Sequence, residues 1–195
     1  MKKNALPPAR AMNSRPVSIL YVCTGNICRS PLAEALLKDH ARRHGAAARL
    51  RVSSAGTHGL SGYPATPEAQ EAGRRWGLDL SAHRAREITP PIAAGADIIL
   101  AATQRHHDWL RRRFPEKKNA VYLALLFPHR LGAEPPDQTD IPDPVGESVE
   151  HYLAVLGMLR PTLPGVLAAA LALAEAAVPK QDESQEDQDE IGAGG

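Results

Sequence analysis

The stretch VCTGNICRSP, from Val22 to Pro31, decides both the fold class and the chemistry open to this chain. The residues that lead into it, VSILYVC from Val17 to Cys23, are rich in β-branched side chains and end at a glycine-containing turn, which predicts a buried strand. The residues that follow, SPLAEALLKDHARRHG, carry leucines at helical spacing and end at Gly45, a helix stop signal. The sequence therefore predicts a strand, a loop and a helix in this order.

The same alternation continues along the chain. RLRVSSAGT, ADIILAA and NAVYLALLF are three further strand candidates, and TPEAQEAGRRWG and RHHDWLRRRF are two further helix candidates. Short apolar strands that alternate with helices predict an α/β fold, here a four-stranded parallel sheet with helices on both faces. Ligands of such sheets bind beyond the carboxyl ends of the strands, and the loop after Cys23 lies at such an end.

One domain accounts for most of the length. The chain has 195 residues and is 43% hydrophobic, which suits a globular domain that we expect to occupy residues 16–178. Residues 1–15 contain consecutive prolines and no apolar core of a signal sequence, so we expect a disordered leader. Residues 179–195 are polar and acidic, which predicts a disordered tail.

Composition argues against several partner classes. With 23 Lys and Arg against 22 Asp and Glu, the net charge of +1 does not indicate a nucleic-acid binder. The most apolar stretch, LPGVLAAALALAEAAV, is broken by Pro164 and Glu175 and is shorter than the roughly 20 residues of a membrane span, so we expect no membrane association. Two cysteines five positions apart do not form a secreted disulfide framework, which favours the cytoplasm. A monomer is favoured.

The loop itself has the residues of a phosphoryl-transfer site. A helix N-terminus presents unpaired amides, and Gly25 would let the loop curl so that successive amides converge on an anion. Arg29 lies six residues after Cys23, and its planar guanidinium can bind two phosphate oxygens. The same positive field favours the thiolate of Cys23, the form that attacks phosphorus. A C-x5-R pair alone is weak, because free cysteines are usually small buried hydrophobes, but the surrounding residues make the string specific.

The string VCTGNICRSPLAEA resembles the active-site signature of the low-molecular-weight protein tyrosine phosphatase family. VSSAGTHG, LDLSAHRAREIT, ADIILAA and DIPDPVGESVEHY occur in the family's order, so the resemblance covers Val17 to Arg160. It implies a flavodoxin-like sheet, phosphorylated proteins as substrates, and hydrolysis in two steps through phosphocysteine. We expect no cofactor.

The resemblance also implies roles for individual residues. Cys23 would be the nucleophile and Arg29 the phosphate clamp. The phosphate would be bound by the segment between them and its flank, namely Thr24, Gly25, Asn26, Ile27, Cys28 and Ser30. Ser30 would stabilise the departing thiolate, although a helix cap is its alternative role. Asn26 would hold the loop in shape, with Ser54 and His83 as supporting partners.

An acid is also required, because expelling an unprotonated oxygen is slow. Asp143, in IPDPVG, is the candidate because a proline on each side stiffens its backbone, although Asp-Pro alone indicates only a turn. Asp137 and Asp140 lie close by, but Asp143 alone matches the Asp-Pro motif of the family.

The chain departs from tyrosine-specific relatives next to this motif. They commonly have an aromatic residue where this chain has Val145, so stacking on that wall of the pocket would be lost. Tyr63 or His58 could supply another wall. Arginine-phosphatase relatives have threonine where this chain has Ile27, and the apolar isoleucine favours a phenyl ring over a guanidinium.

These features favour a phosphotyrosine protein phosphatase and leave alternatives. A protein arginine phosphatase of the same family, a small-molecule phosphatase and a non-catalytic phosphopeptide-binding module stay open. Arsenate reduction needs further cysteines, and none follows Cys28. A zinc site from Cys23, Cys28, His106 and His107 is disfavoured because the adjacent histidines lack ligand spacing, so we expect no metal.

Overall fold

The protein forms a four-stranded parallel sheet in a computed structural model that describes residues 15–128 and 137–176. The strands are β1 (Val17–Cys23), β2 (Leu50–Gly56), β3 (Ile98–Ala101) and β4 (Val121–Leu123), in the spatial order β2-β1-β3-β4. This order confirms the predicted α/β, flavodoxin-like fold class. Residues 1–14 of the predicted leader, and all of the predicted tail, lie outside the described residues. Arg15, the last residue of the predicted leader, donates two hydrogen bonds to the carboxylate of Asp97.

Six α-helices connect or flank the strands in the described part of the chain. They are α1 (Arg29–Arg43), α2 (Pro67–Arg75), α3 (Pro90–Ala94), α4 (Gln104–Arg113), α5 (Val149–Leu159) and α6 (Leu163–Ala176). The helices α1, α2 and α4 lie where the sequence predicts them. The fourth strand is shorter than the predicted NAVYLALLF, because the chain turns after Leu123, whose carbonyl accepts from the amide of Leu126 at 3.1 Å.

The side chains of β1 alternate between two cores, one on each face of the sheet. Ile19 and Tyr21 belong to the core that α1, α5 and α6 cover, whereas Leu20 and Val22 pack with Leu110 of α4 on the other face. Each buried aliphatic side chain of this kind contributes about 1.5–3 kcal/mol to folding. The central strand is therefore fixed from both sides, and its last residue has a rigid support.

Helices α5 and α6 form one continuous helical stretch from Val149 to Ala176. Its 28 residues are long enough to cross a membrane, and an 18-residue window reaches a mean hydropathy of 1.5. The apolar segment considered from the sequence, LPGVLAAALALAEAAV, begins at Leu163 and therefore covers only the second half of this stretch. Tyr152, Leu156, Leu159 and Val166 are buried in the core, as in the core helix of a globular domain, which passes the same test of length and composition.

The strand order places the candidate site. In this order the connection that leaves β1 runs to β2 on one side and the connection that leaves the neighbouring β3 runs to β4 on the other, so a crevice opens between them beyond the carboxyl end of β1. Cys23 is the last residue of β1, and α1 begins at Arg29. The residues between them, 24–28, are called the cradle loop below.

Candidate active site

The cradle loop is held by its carbonyl oxygens. The carbonyls of Cys23, Thr24, Gly25 and Ile27 accept from the amides of Thr57, His58, Leu60 and Thr66 at 2.9–3.0 Å, and that of Asn26 accepts from Nε2 of His83 at 2.7 Å. By contrast, the amides of residues 24–28 donate to no group in the described part of the chain. Neighbouring segments thus bind the acceptors of the loop and leave five successive N–H donors for an anion.

Asn26 gives the cradle loop its curvature. Its φ is 58°, and it alone among the described non-glycine residues has a positive φ. The buried side chain supports this backbone: Nδ2 donates to Oγ of Ser30 at 2.9 Å and to Oγ of Ser54 at 2.8 Å, and Oδ1 accepts from the amide of Arg86 at 2.9 Å. The expectation that Gly25 makes the curl is therefore wrong: the left-handed conformation falls on Asn26, whose polar side chain supplies the bonds that hold it.

Two glycines that the sequence analysis overlooked bring the segment after β2 against the cradle loop. A Cβ on Gly56 would lie 2.3 Å from the carbonyl oxygen of Thr24, and a Cβ on Gly59 would lie 2.2 Å from that of Arg86. Neither distance tolerates a side chain. The string SSAGTHG carried the signal, because glycines at the end of a strand indicate close backbone approach.

The Cys23 sulfur lies 3.0 Å from Oγ of Ser30. That oxygen accepts from Nδ2 of Asn26, and its own hydrogen has two acceptors within reach, the carbonyl of Ala55 at 3.5 Å and the sulfur. The sulfur is the nearer of the two, so the hydroxyl can turn to it and stabilise a thiolate. Ser30 is the second residue of α1, and the N-cap position is Cys28, which makes no side-chain capping bond. The helix-cap alternative for Ser30 is therefore wrong, and its hydroxyl contacts the sulfur instead.

Arg29 is buried beside the cradle loop with one of its N–H groups unsatisfied. Its NH2 group donates to Oδ2 of Asp143 at 2.7 Å, and its NH1 group donates to the carbonyl of Ile141 at 3.2 Å. Nε has no partner within residues 15–128 and 137–176. A buried, unpaired donor on a cation is costly, so this nitrogen indicates a position for a ligand oxygen.

Of the three acidic residues considered, Asp143 is the one that reaches the clamp. Its side chain is 45% exposed, and its second oxygen accepts from the amide of Val145 at 3.4 Å. Asp140 instead accepts from the amide of Gln104 through Oδ1 at 2.8 Å, and Asp137 is exposed. The segment that carries these residues, 137–148, is called the acid loop below.

His106 contacts the cradle loop, a role that the sequence analysis did not foresee. Its Nε2 lies 2.9 Å from Oγ1 of Thr24, and its Nδ1 lies 2.7 Å from Oγ1 of Thr103. Burial, and secondarily the charge of Arg29, lowers the pKa of His106 to about 4, so the ring is neutral at physiological pH. Within the residues that the structure describes, no three His, Cys, Asp or Glu side chains are grouped to hold a metal ion.

The two supporting residues, Ser54 and His83, hydrogen-bond to Asn26. Ser54 is buried, accepts from Asn26 and donates to Oε2 of Glu34 at 2.6 Å. His83 must carry its proton on Nε2, because the carbonyl of Asn26 can only accept. Cys28 is buried with its sulfur 3.6 Å from the hydroxyl of Tyr152, and burial raises the pKa of its thiol.

The mouth of the site is apolar. The side chain of Ile27 and the Cδ1 atom of Leu60 lie 3.4 Å and 3.9 Å from the position of a Cβ built on Gly25, so Leu60 stands over the cradle loop. Leu60 and Val145 are both exposed. Tyr63 and His58 were predicted as candidate walls of the substrate pocket. Tyr63 is 63% exposed, and the centroid of the His58 ring lies 6.2 Å from that of the Trp109 ring.

An anion-binding loop with a buried cysteine and arginine, at the carboxyl end of the central strand of a parallel α/β sheet, defines a cysteine-dependent phosphatase. The sequence profile described as low molecular weight phosphotyrosine protein phosphatase matches residues 18–178, and the chain belongs to this family.

Individual relatives agree with this assignment. The probable low molecular weight protein-tyrosine-phosphatase EpsP of Ralstonia nicotianae is 37% identical over 143 residues, 73% of this chain and 88% of the relative. Etp of Escherichia coli, a low molecular weight protein-tyrosine-phosphatase, is 38% identical over 73% of this chain and 87% of its own. The solved structure of the YwlE arginine phosphatase from Geobacillus stearothermophilus superposes with a TM-score of 0.70 at 28% identity, covering 85% of this chain and all of that one.

Proposed function

We propose that this protein is a cytoplasmic phosphatase that hydrolyses phosphotyrosine in proteins through a phosphocysteine intermediate. The observation that carries the proposal is the polarity of the cradle loop, whose carbonyls are bound by neighbours while the amides of residues 24–28 have no acceptor in the described part of the chain. Such a loop binds a tetrahedral oxyanion directly above the sulfur of Cys23.

In the first step the phosphate is held by the amides of the cradle loop and by Arg29. The thiolate of Cys23 attacks phosphorus, an S–P bond forms, and the P–O bond to the substrate breaks. Asp143, at the mouth of the site, donates a proton to the leaving oxygen. The dephosphorylated hydroxyl product then departs, and the phosphoryl group stays on the sulfur.

In the second step water cleaves the S–P bond. Asp143, now ionised, takes a proton from the attacking water, and inorganic phosphate leaves. The departing sulfur is a thiolate again, and Ser30, whose Oγ lies 3.0 Å from it, donates a hydrogen bond to that charge. The reaction needs no metal or cofactor, because protons and charge are handled by these side chains and the amides.

The mouth of the site favours a phenyl leaving group. Ile27, Leu60 and Val145 offer apolar surface and no hydrogen bond to a guanidinium, whose polar N–H groups would be desolvated there. Without an aromatic residue at position 145, selection rests on aliphatic contacts and is correspondingly modest. A protein arginine phosphatase is the second candidate, because a solved structure that superposes on this chain carries that activity in its name.

A side-by-side assay tests this function. In EDTA, the purified protein should hydrolyse p-nitrophenyl phosphate and should act on phosphotyrosine peptides with a higher kcat/KM than on matched phosphoarginine peptides. Faster turnover of phosphoarginine would establish the second candidate. Binding of phosphopeptides without turnover would instead support the non-catalytic module.

A further inference from the structure

We propose that the first turn of α4 fixes the acid loop relative to the cradle loop, and that His106 and Asp140 are the positioning residues that make these two attachments. The inference rests on the proposed function, since it concerns how the nucleophile and the acid of that reaction are aligned. Neither residue touches the reacting atoms, and each acts through another group.

The attachment to the cradle loop is the His106 side chain. The ring is buried and uses both of its nitrogens, Nε2 toward Oγ1 of Thr24 at 2.9 Å and Nδ1 toward Oγ1 of Thr103 at 2.7 Å. Thr24 directly follows Cys23, so the imidazole connects the residue beside the nucleophile to the N-cap of α4. A neutral ring suits this place, because one nitrogen can donate while the other accepts.

The attachment to the acid loop is the Asp140 carboxylate. Its Oδ1 accepts from the amide of Gln104, the first residue of α4, at 2.8 Å. This amide is one of the donors that a helix leaves unpaired at its N-terminus, where a negative charge is also stabilised by the helix dipole. The amide of Ile141 adds a bond of 2.8 Å to the carbonyl of Ala102, just before the same turn.

The two loops need such a support. Arg29 contacts the acid loop at the carboxylate of Asp143 and at the carbonyl of Ile141, but a phosphate bound at the cradle loop would share the same guanidinium and weaken these contacts during catalysis. The bonds at the Gln104 amide and at Oγ1 of Thr24 use none of the donors that would bind phosphate, so they persist when the phosphate is bound. The alignment of Asp143 with the leaving oxygen would then depend on α4.

The acid-loop attachment is tested with Asp140→Ala and Asp140→Asn on a series of aryl phosphates. Asp140→Ala should lower kcat for poor leaving groups by up to about 100-fold, with little effect on good leaving groups and on inhibition by inorganic phosphate. Asp140→Asn retains an acceptor oxygen and should behave like the wild type. Equal losses across the leaving-group series, or no loss with Asp140→Ala, would overturn this attachment.

The cradle-loop attachment is tested with His106→Phe, which preserves the shape of the ring. It should weaken inhibition by inorganic phosphate and by vanadate, while the neighbouring change His107→Phe should not. Because His106→Phe could fail to fold, Thr24→Val removes the other partner of the same hydrogen bond and should weaken inhibition equally. Unchanged inhibition in the folded variants would overturn the attachment.

Hydrogen exchange separates a failure of this inference from a failure of the proposed function, since it needs no turnover. Asp140→Ala should speed exchange at the amides of Gln104 and Ile141, and Asp140→Asn should leave it slow. If the wild type has no phosphatase activity but Asp140→Ala still speeds exchange, the proposed function is rejected and the attachment is kept. Normal exchange in Asp140→Ala would reject the attachment, whatever the activity.

Discussion

The guanidinium of Arg29, at the start of α1, and the carboxylate of Asp143, in the acid loop, form an ion pair of 2.7 Å although they are 114 positions apart in sequence. The arginine is buried and the aspartate is half exposed, so the pair closes the mouth of the site with its acid side toward solvent. An incoming phosphate can bind the unpaired Nε of Arg29, and it then shares the guanidinium charge with the carboxylate. Arg29 and Asp143 therefore pair with each other in the free protein. In the complex with phosphate, Arg29 would bind the phosphate and Asp143 would serve the leaving oxygen.

The first prediction follows from this exchange of partners. Asp143→Asn removes the charge that competes with phosphate for Arg29, so inorganic phosphate should inhibit about two- to fivefold more strongly, as expected for a partly exposed ion pair. The same variant should lose about 10²–10⁴-fold in kcat for poor leaving groups and far less for good ones. Steady-state kinetics on aryl phosphates measure both effects; a uniform loss with weaker inhibition would assign the acid elsewhere.

Cys23→Ser should abolish turnover by at least about 10⁴-fold, since the covalent step is lost. Affinity for phosphate and vanadate should stay close to that of the wild type, because the amides of the cradle loop and Arg29 remain. Titration calorimetry and a p-nitrophenyl phosphate assay on the same preparation check both statements. Residual activity near the wild-type level would rule out phosphocysteine.

Asn26→Ala should destabilise the fold as well as the site. The change removes three buried side-chain hydrogen bonds and leaves a residue with φ 58° that lacks a polar side chain to hold it. We expect the free energy of unfolding to fall by about 2–4 kcal/mol. Urea denaturation measures this, with the exposed Asn119→Ala as the matched control, and equal stabilities for the two variants would contradict the assigned role.

Ile27→Thr should shift substrate preference. A threonine at the mouth offers a hydroxyl to a guanidinium leaving group and presents less apolar surface to a phenyl ring. A single pocket contact of this kind changes discrimination by about 1–3 kcal/mol, or roughly 10–200-fold. The ratio of kcat/KM for phosphotyrosine over phosphoarginine peptides should fall accordingly. An unchanged ratio would indicate that Leu60 or Val145, and not residue 27, determines the substrate preference.

Cys28 should protect the nucleophile from irreversible oxidation. Burial raises the pKa of the Cys28 thiol, so peroxide should attack the sulfur of Cys23 first and form a sulfenic acid. The Cys28 thiol then displaces water to form a disulfide, which added dithiothreitol reduces. In Cys28→Ser, activity recovered after peroxide and dithiothreitol should be much lower than in the wild type. Equal recovery would show that Cys28 only fills space.

The sequence predicted those features that depend on local patterns. The strand from Val17 to Cys23 has the predicted bounds, because a short run of β-branched, aliphatic and aromatic residues that ends at a glycine-containing turn is typical of a buried strand. The predicted fourth strand is longer than β4, since apolar residues after Leu123 pack in a turn that periodicity does not distinguish from a strand. Helices α3, α5 and α6 were not predicted.

The part of the site that lies in one string was predicted from its own residues, and the distant Asp143, Ser54 and His83 were predicted only through the family resemblance. Cys23, Arg29 and Ser30 lie in one string, and the structure keeps them together. The contact of His106 with Thr24 joins helix α4 to the cradle loop across 82 positions of sequence, and no spacing rule indicates it. The curvature was assigned to Gly25 because glycine is the usual residue there, whereas three hydrogen bonds from the fold hold Asn26 in that conformation.

The unpaired amides of the cradle loop have a consequence for how substrates are found. A peptide dipole acts over a few ångströms, and the whole chain carries a net charge of only +1, so little attraction extends into bulk solution. Phosphorylated proteins would meet this surface by unguided diffusion, at rates that ionic strength barely alters. Recognition then begins only on contact, when a phosphate has already shed its water at the mouth of the loop.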